Sequence, residues 1–243
     1  MVTYFVETVI VFSTDRIMDL STLILFGLLL AAGLTAGYFQ LLRISQLTWK
    51  RLKITTIAAS ICLVFFALLN WLNFLPALYG RMTSIGLYLL ATGFFLGSSA
   101  TIALRQYQSG QLEYINAALL PVLFPKLLSA AIILFGMYRT QLFSADPVTA
   151  IGLNSGISLA AFGCYGWIIQ IIPAFREKGI LILDSCIPWS EVLSFSWQEQ
   201  NLLNIEYYDE IENINELQTI IPEQDQKEVT NIIESHILER TLE

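Results

Sequence analysis

The feature that most constrains this chain is a series of apolar runs, each near the length that a helix needs to cross a bilayer. Crossing the hydrocarbon takes about 20 apolar residues in helical form. Five segments reach that length: Leu20–Leu42, Ile54–Leu78, Thr83–Leu104, Ala117–Tyr138 and Val148–Pro173. None alternates apolar with polar residues as barrel strands do, and backbone groups in lipid must bond internally, so helices are the expected form. Composition agrees, with 55% apolar and 14% charged residues, against about 25% charged in a soluble domain. The expected fold is a membrane all-α protein, a five-helix transmembrane bundle followed by a small α+β domain.

Charge marks where the bundle should end. Residues 1–176 carry ten Lys/Arg against five Asp/Glu, and residues 177–243 carry three against fifteen, a balance of +5 and then −12. Such a shift indicates a boundary, placed near Ala174. The expected division is an extracytoplasmic N-terminal segment at 1–19, the bundle at 20–175, and an acidic cytoplasmic domain at 176–243. Met1–Ser13 has no basic start, carries Glu7 and lacks a small-residue cleavage site, so it does not read as a cleavable signal. It is also too short to span.

Orientation follows from Lys and Arg in the short connections. With the N-terminus outside, Arg43, Lys50, Arg51, Lys53, Arg105, Arg176 and Lys178 fall on the cytoplasmic side, and Arg16, Arg81 and Arg139 fall opposite. The expected protein is therefore a multi-pass cell-membrane protein, N-out and C-in.

Within the spans, GxxxG spacing occurs at Gly33–Gly37, Gly93–Gly97 and Gly152–Gly156. Small residues four apart let helix backbones approach closely, either inside one bundle or at a homo-oligomer face. Lys126 is the one charge well inside a span. It reads as an intramembrane functional residue that binds an anionic headgroup or sits on an ion path, or as a side chain that snorkels to the interface. Asn70, Asn73, Asn154, Ser155, Ser158 and Gln170 read as inter-helix hydrogen-bonding groups, with a polar pathway as the alternative. Pro121 and Pro125 make the fourth segment the weakest of the five.

After Lys178 the period changes. Ile180–Asp184 reads as a strand, followed by Cys186-Ile187-Pro188. In Trp189–Gln198, Leu193, Phe195 and Trp197 alternate with serines as in a half-buried strand. In Leu202–Tyr208, Leu203, Ile205 and Tyr207 form one face, and Asn204 and Glu206 the other. Asp209–Glu216 reads as an acidic loop and Leu217–Ile221 as a short strand. From Pro222, Val229, Ile232, Ile233 and Ile237 follow helical spacing, with Glu223 and Lys227 as a supporting pair. Gly179-Ile-Leu-Ile-Leu-Asp, Ile187-Pro188-Trp189-Ser190-Glu191-Val192 and Phe195-Ser196-Trp197 resemble the small pleckstrin-homology-like (PH-like) domains of uncharacterised bacterial membrane proteins. The resemblance covers about 176–240. It implies inner-membrane placement and a sheet closed by a terminal helix, with Trp189, Phe195 and Trp197 as core or rim aromatics, and it implies no activity.

Nothing nominates a reaction. No P-loop, GxSxG, HExxH or dinucleotide-binding glycine pattern occurs. His236 is the sole histidine, and Cys62, Cys164 and Cys186 stand at no metal-ligand spacing. No cofactor and no metal are expected. A tail at −12 is repelled by anionic lipid headgroups and lacks the basic footprint of a nucleic-acid binder. The expected partners are the lipid bilayer, a cytoplasmic protein and a second copy of the chain. The leading reading is a non-enzymatic membrane protein with a partner-binding or regulatory tail. The alternatives are a transporter or channel component acting near Lys126, and a membrane-embedded enzyme with a polar cavity around Lys126, Asn154 and Ser158.

Overall fold

The computed structural model describes residues 20–41, 77–116, 119–144, 147–198, 201–209 and 213–242, with isolated positions between 53 and 72. The expected segments at 1–19 and, for the most part, Ile54–Leu78 lie outside the described residues. The chain divides into two compact units, Met1–Thr101 with Pro125–Ile168, and Ile102–Phe124 with Ile169–Glu243.

In the first unit the described helices are α1 (Leu20–Tyr38), α2 (Ala77–Gln108), α3 (Leu119–Arg139) and α4 (Ala150–Ile168), with the C-terminal end of α2 and the start of α3 belonging to the second. Among the described residues two helices are long and apolar enough to cross a membrane, Leu20–Tyr38 and Leu78–Gln108. This overturns the expected five-helix transmembrane bundle. The fifth segment, Val148–Pro173, stops being helix at Ile168, and its remainder enters a strand. Gly152, Asn154, Ser155, Gly156 and Ser158 also dilute the apolar character of α4. Pro125 and Lys126 lie within the first half of α3.

The packing of α1 against α2 is inside-out relative to a soluble helix. Leu20, Leu23, Ile24, Leu25 and Leu28 are exposed, whereas Gly33 and Gly37 are buried. A Cβ on Gly33 or Gly37 would strike the backbone of Leu90, Phe94 or Ser98, and one on Gly93 or Gly97 would strike that of Leu30, Leu34 or Tyr38. Residue numbers rise together along the contact, so the two helices run parallel. Thr101 Oγ1 donates to the Tyr38 carbonyl at 2.9 Å and Ser98 Oγ to that of Gly37 at 3.4 Å. Such close approach is how helices associate where no hydrophobic drive exists between them. Toward their N-terminal ends the helices part around an apolar cleft of about 480 Å³ that includes Phe26, Leu29, Met82 and Gly86.

Helices α3 and α4 pack antiparallel through a second set of small residues. Gly136 faces Gly156 and Ala160, while Gly163 faces Ser129 and Ile133. Phe95 of α2 meets Phe162 and Tyr165 of α4, at centroid distances of 4.9 and 5.8 Å.

The second unit holds two antiparallel sheets. The first has the order β1 (Leu112–Ile115), β2 (Gln170–Arg176), β3 (Gly179–Leu183) and β4 (Ser185–Pro188). The second has the order β5 (Val192–Gln198), β6 (Leu202–Tyr208) and β7 (Ile214–Ile220), and α5 (Gln226–Leu242) follows it. The expected boundary near Ala174 falls inside β2. The expected acidic loop is shorter than read, because β7 starts at Ile214. Inward residues of both sheets and of α5 form one core that includes Tyr114, Phe175, Ile180, Trp189, Leu203, Ile205, Val229 and Ile233.

Strand β1 had no place in the sequence reading. It comes from the connection between α2 and α3, and pairs with β2 through Leu112↔Arg176, Tyr114↔Phe175 and Ile115↔Ala174. Gly110, at φ 81°, makes the turn out of α2 in a conformation that side chains resist. Leu183 takes φ 54° in the β3–β4 turn without that freedom, and Arg105 of α2 donates to the carbonyl of the next residue, Asp184.

Candidate functional site

The residues singled out by sequence do not converge on one site. Lys126 is exposed on α3. Asn154 Nδ2 donates to the Ala150 carbonyl and Ser155 Oγ to that of Gly152, so both bond within their own helix. Gln170 starts β2 opposite Leu183. Gly33, Gly37, Gly93 and Gly97 meet one another within the chain, and Gly152 and Gly156 pack on the end of α3 and the turn after it. Asn70 and Asn73 lie outside the described residues. Among the described residues no group of three or more His, Cys, Asp or Glu is placed to hold a metal ion.

The three aromatics belong to the second unit. Trp189 is buried, its Nε1 donates to the Arg176 carbonyl at 2.9 Å, and its ring stacks on His236 at 4.8 Å. Phe195 packs partly buried against the core, and Trp197 Nε1 donates to Thr230 Oγ1 of α5 at 3.1 Å. These contacts hold the sheets to the terminal helix. His236 Nε2 lies 3.0 Å from Glu113 of β1, which joins that helix to the strand the sequence did not reveal.

Opposite the core, the outer face of β5–β6–β7 carries a different chemistry. Leu203, Ile205 and Leu217 point inward, so Asn204, Glu206 and Tyr208 of β6 and Ile214, Glu216, Gln218 and Ile220 of β7 point outward. The register sets Glu206 directly opposite Glu216 and Asn204 opposite Gln218. Like charges facing each other across strands are destabilising. Ser194 Oγ donates to Glu206 at 2.8 Å, which answers one carboxylate oxygen. Asn204 is 6% exposed, and its Oδ1 has no hydrogen-bond partner among the described residues. Ile214 and Ile220 are exposed at the two ends of β7 and Tyr208 at the end of β6. Acidic pairing and apolar corners therefore share one face. The alternation that puts Glu206 outward is legible in the sequence. The Glu206–Glu216 pairing is not, because it depends on strand register.

Ionisable groups in this unit follow burial. The Tyr114 phenol is pushed above its ordinary range by desolvation first, then by its 2.9 Å hydrogen bond to Asp225 and by the charges of Asp225 and Glu228. Burial and then Asp209 raise Tyr207. Burial raises the Cys186 thiol against the opposing pull of Arg105 and Arg176. For Tyr114 the linkage has one sign. The unfolded phenol loses its proton near pH 10 while the folded one keeps it. Stability is therefore full below about pH 10 and falls as pH rises beyond it. Urea midpoints of the second unit between pH 8 and 11 are expected to drop steeply in the parent and less steeply in Tyr114→Phe.

Residues 171–238 match the family model of a domain of unknown function, DUF5673. The match runs from inside β2 into α5 and leaves β1 outside. No curated protein and no solved structure matches the chain.

Proposed function

We propose that this is a non-enzymatic membrane protein whose acidic C-terminal unit binds a basic protein partner on the outer face of β5–β6–β7. One observation carries the reading: Glu206 and Glu216 are directly opposed, an arrangement that costs stability and that a Lys or Arg from a partner relieves. Ile214, Ile220 and Tyr208 supply apolar anchor points at the ends of the same strands. Sheets of four and three strands followed by a terminal helix support a PH-like fold. The surface is acidic, unlike the basic pockets that hold anionic headgroups.

The membrane reading rests on two apolar helices with exposed leucines and buried glycines. Because α1 and α2 run parallel, their C-terminal ends share a side. Arg105 closes α2 and Arg43, Lys50, Arg51 and Lys53 follow α1, so the positive-inside rule makes that side cytoplasmic. A C-terminal reporter active only outside the cytoplasm would overturn this orientation.

The decisive variant is Glu216→Lys in the full chain. It turns the like-charge pair into a cross-strand ion pair, so the unit is expected to gain about 0.2–1 kcal/mol while losing its partner. Capture by the parent is also expected to weaken as salt rises, since exposed charges are screened. Undiminished capture by a stably folded Glu216→Lys protein refutes the reading. So does a silent deletion of 179–243 paired with a phenotype for Lys126→Leu.

A further inference from the structure

The second unit is discontinuous in sequence. It includes the C-terminal end of α2, all of β1 and the start of α3. These pieces are held residue by residue. Arg105 donates to the Asp184 carbonyl at the strained β3–β4 turn. Arg176 Nη1 donates to the carbonyls of Gln106 and Gly110 at 3.0 Å each, closing the end of α2 with a cation where its dipole is negative. The Lys178 and Glu177 amides donate to the carbonyls of Ser109 and Gln111, both at 3.1 Å. Tyr114 reaches Asp225, Glu113 reaches His236 on α5, and Asn116 Nδ2 donates to the Ile220 carbonyl of β7 at 2.9 Å. The β1 segment thus touches β2, β7, the turn before α5 and α5 itself.

We propose that β1 is a transmission strap: its seat in the second unit fixes the spacing between the end of α2 and the start of α3, and its release changes that spacing. Two helices that continue beyond the unit thereby report its state. Two properties suit the strap to this role. It is only four residues long with an irregular register at Leu112–Tyr114, and its Glu113 and Asn116 ties lie near solvent. Local openings are drawn from short elements with solvent-near hydrogen bonds, and of the β1 side chains Tyr114 is the one in the core. The strap goes beyond partner recognition on β5–β7. It rests on that reading only for what drives release, not for the coupling itself.

The test places spin labels at Tyr107→Cys and Phe124→Cys, both exposed, in the full chain with Cys62, Cys164 and Cys186 replaced by Ser. Distances are read in lipid nanodiscs, together with amide exchange. The strap is loosened by Glu113→Gln combined with Tyr114→Phe, which weakens the ties to His236 and Asp225 and keeps an aromatic ring at position 114 in the core. Exchange at 112–115 is expected to quicken at least ~10-fold while Ile180 and Leu203 keep their protection, and the 107–124 distance distribution is expected to broaden. A distribution that stays as narrow as the parent's once 112–115 exchanges freely overturns the proposal. Protection at Ile180 and Leu203 falling in step with that of β1 overturns it too, because the strap would then not be separable. Loss of partner capture by Glu216→Lys bears on the binding face alone, so the two readings fail independently.

Discussion

Replacing Gly37 or Gly97 with isoleucine is expected to separate α1 from α2. At both positions the atoms in the way are backbone, from Phe94 and Ser98 against Gly37 and from Leu34 and Tyr38 against Gly97, so no rotamer change makes room. Overpacking typically costs about 1–3 kcal/mol where neighbours can shift, and more where they cannot. The Thr101–Tyr38 and Ser98–Gly37 hydrogen bonds are lost with the contact. Cysteines at Tyr38 and Thr101, with the native cysteines replaced, provide the readout. The disulfide is expected to form readily in the parent and at least ~10-fold less in either isoleucine variant. Gly27→Ile is the control, since nothing lies within 4 Å of a Cβ there. A disulfide that forms equally well in Gly37→Ile refutes the parallel glycine contact.

The second large effect is expected from Phe175→Ala. Phe175 is fully buried on β2, with Tyr114 of β1 at 5.9 Å on one side and Trp189 at 6.3 Å on the other. Removing a buried phenyl ring costs about 3–5 kcal/mol, a large share of the ~5–15 kcal/mol that holds a typical domain. Urea unfolding of the full chain, followed by tryptophan fluorescence, is expected to show a much lower midpoint. Phe195→Ala, at a partly exposed position packed on the same core, is expected to lose less. Equal losses would mean that the centre of this core lies elsewhere.

Local pattern carried much of this structure into the sequence, and pairing did not. Strands β3, β5 and β6 and helix α5 were legible because period two and period 3.6 were each written in a single run of residues. Gly33, Gly37, Gly93 and Gly97 were legible as close-packing positions, but spacing alone could not say that they meet in parallel within one chain. The last segment was misread because Ile171 and Ile172 extend the apolar run of the helix before them, and hydropathy does not separate a strand from the end of a membrane helix. Strand β1 was missed because Leu112–Ile115 is four residues long with two of its side chains outward. What identifies it is β2, more than fifty residues later. The opposed Glu206 and Glu216 were invisible for the same reason, since only register brings them together.

The late arrival of β2 also sets an order of events during synthesis. β1 leaves the ribosome well before the strands that will hold it, at about 5–20 residues per second. It must wait until α3 and α4 have been made and, as an antiparallel pair, have carried the chain back. The unit can then close only once that hairpin has brought β2 back to β1. Completion of the acidic unit therefore depends on α3 and α4 having packed against each other first. A chain whose hairpin has not formed would leave Phe175 without Tyr114 beside it and open to quality-control proteolysis.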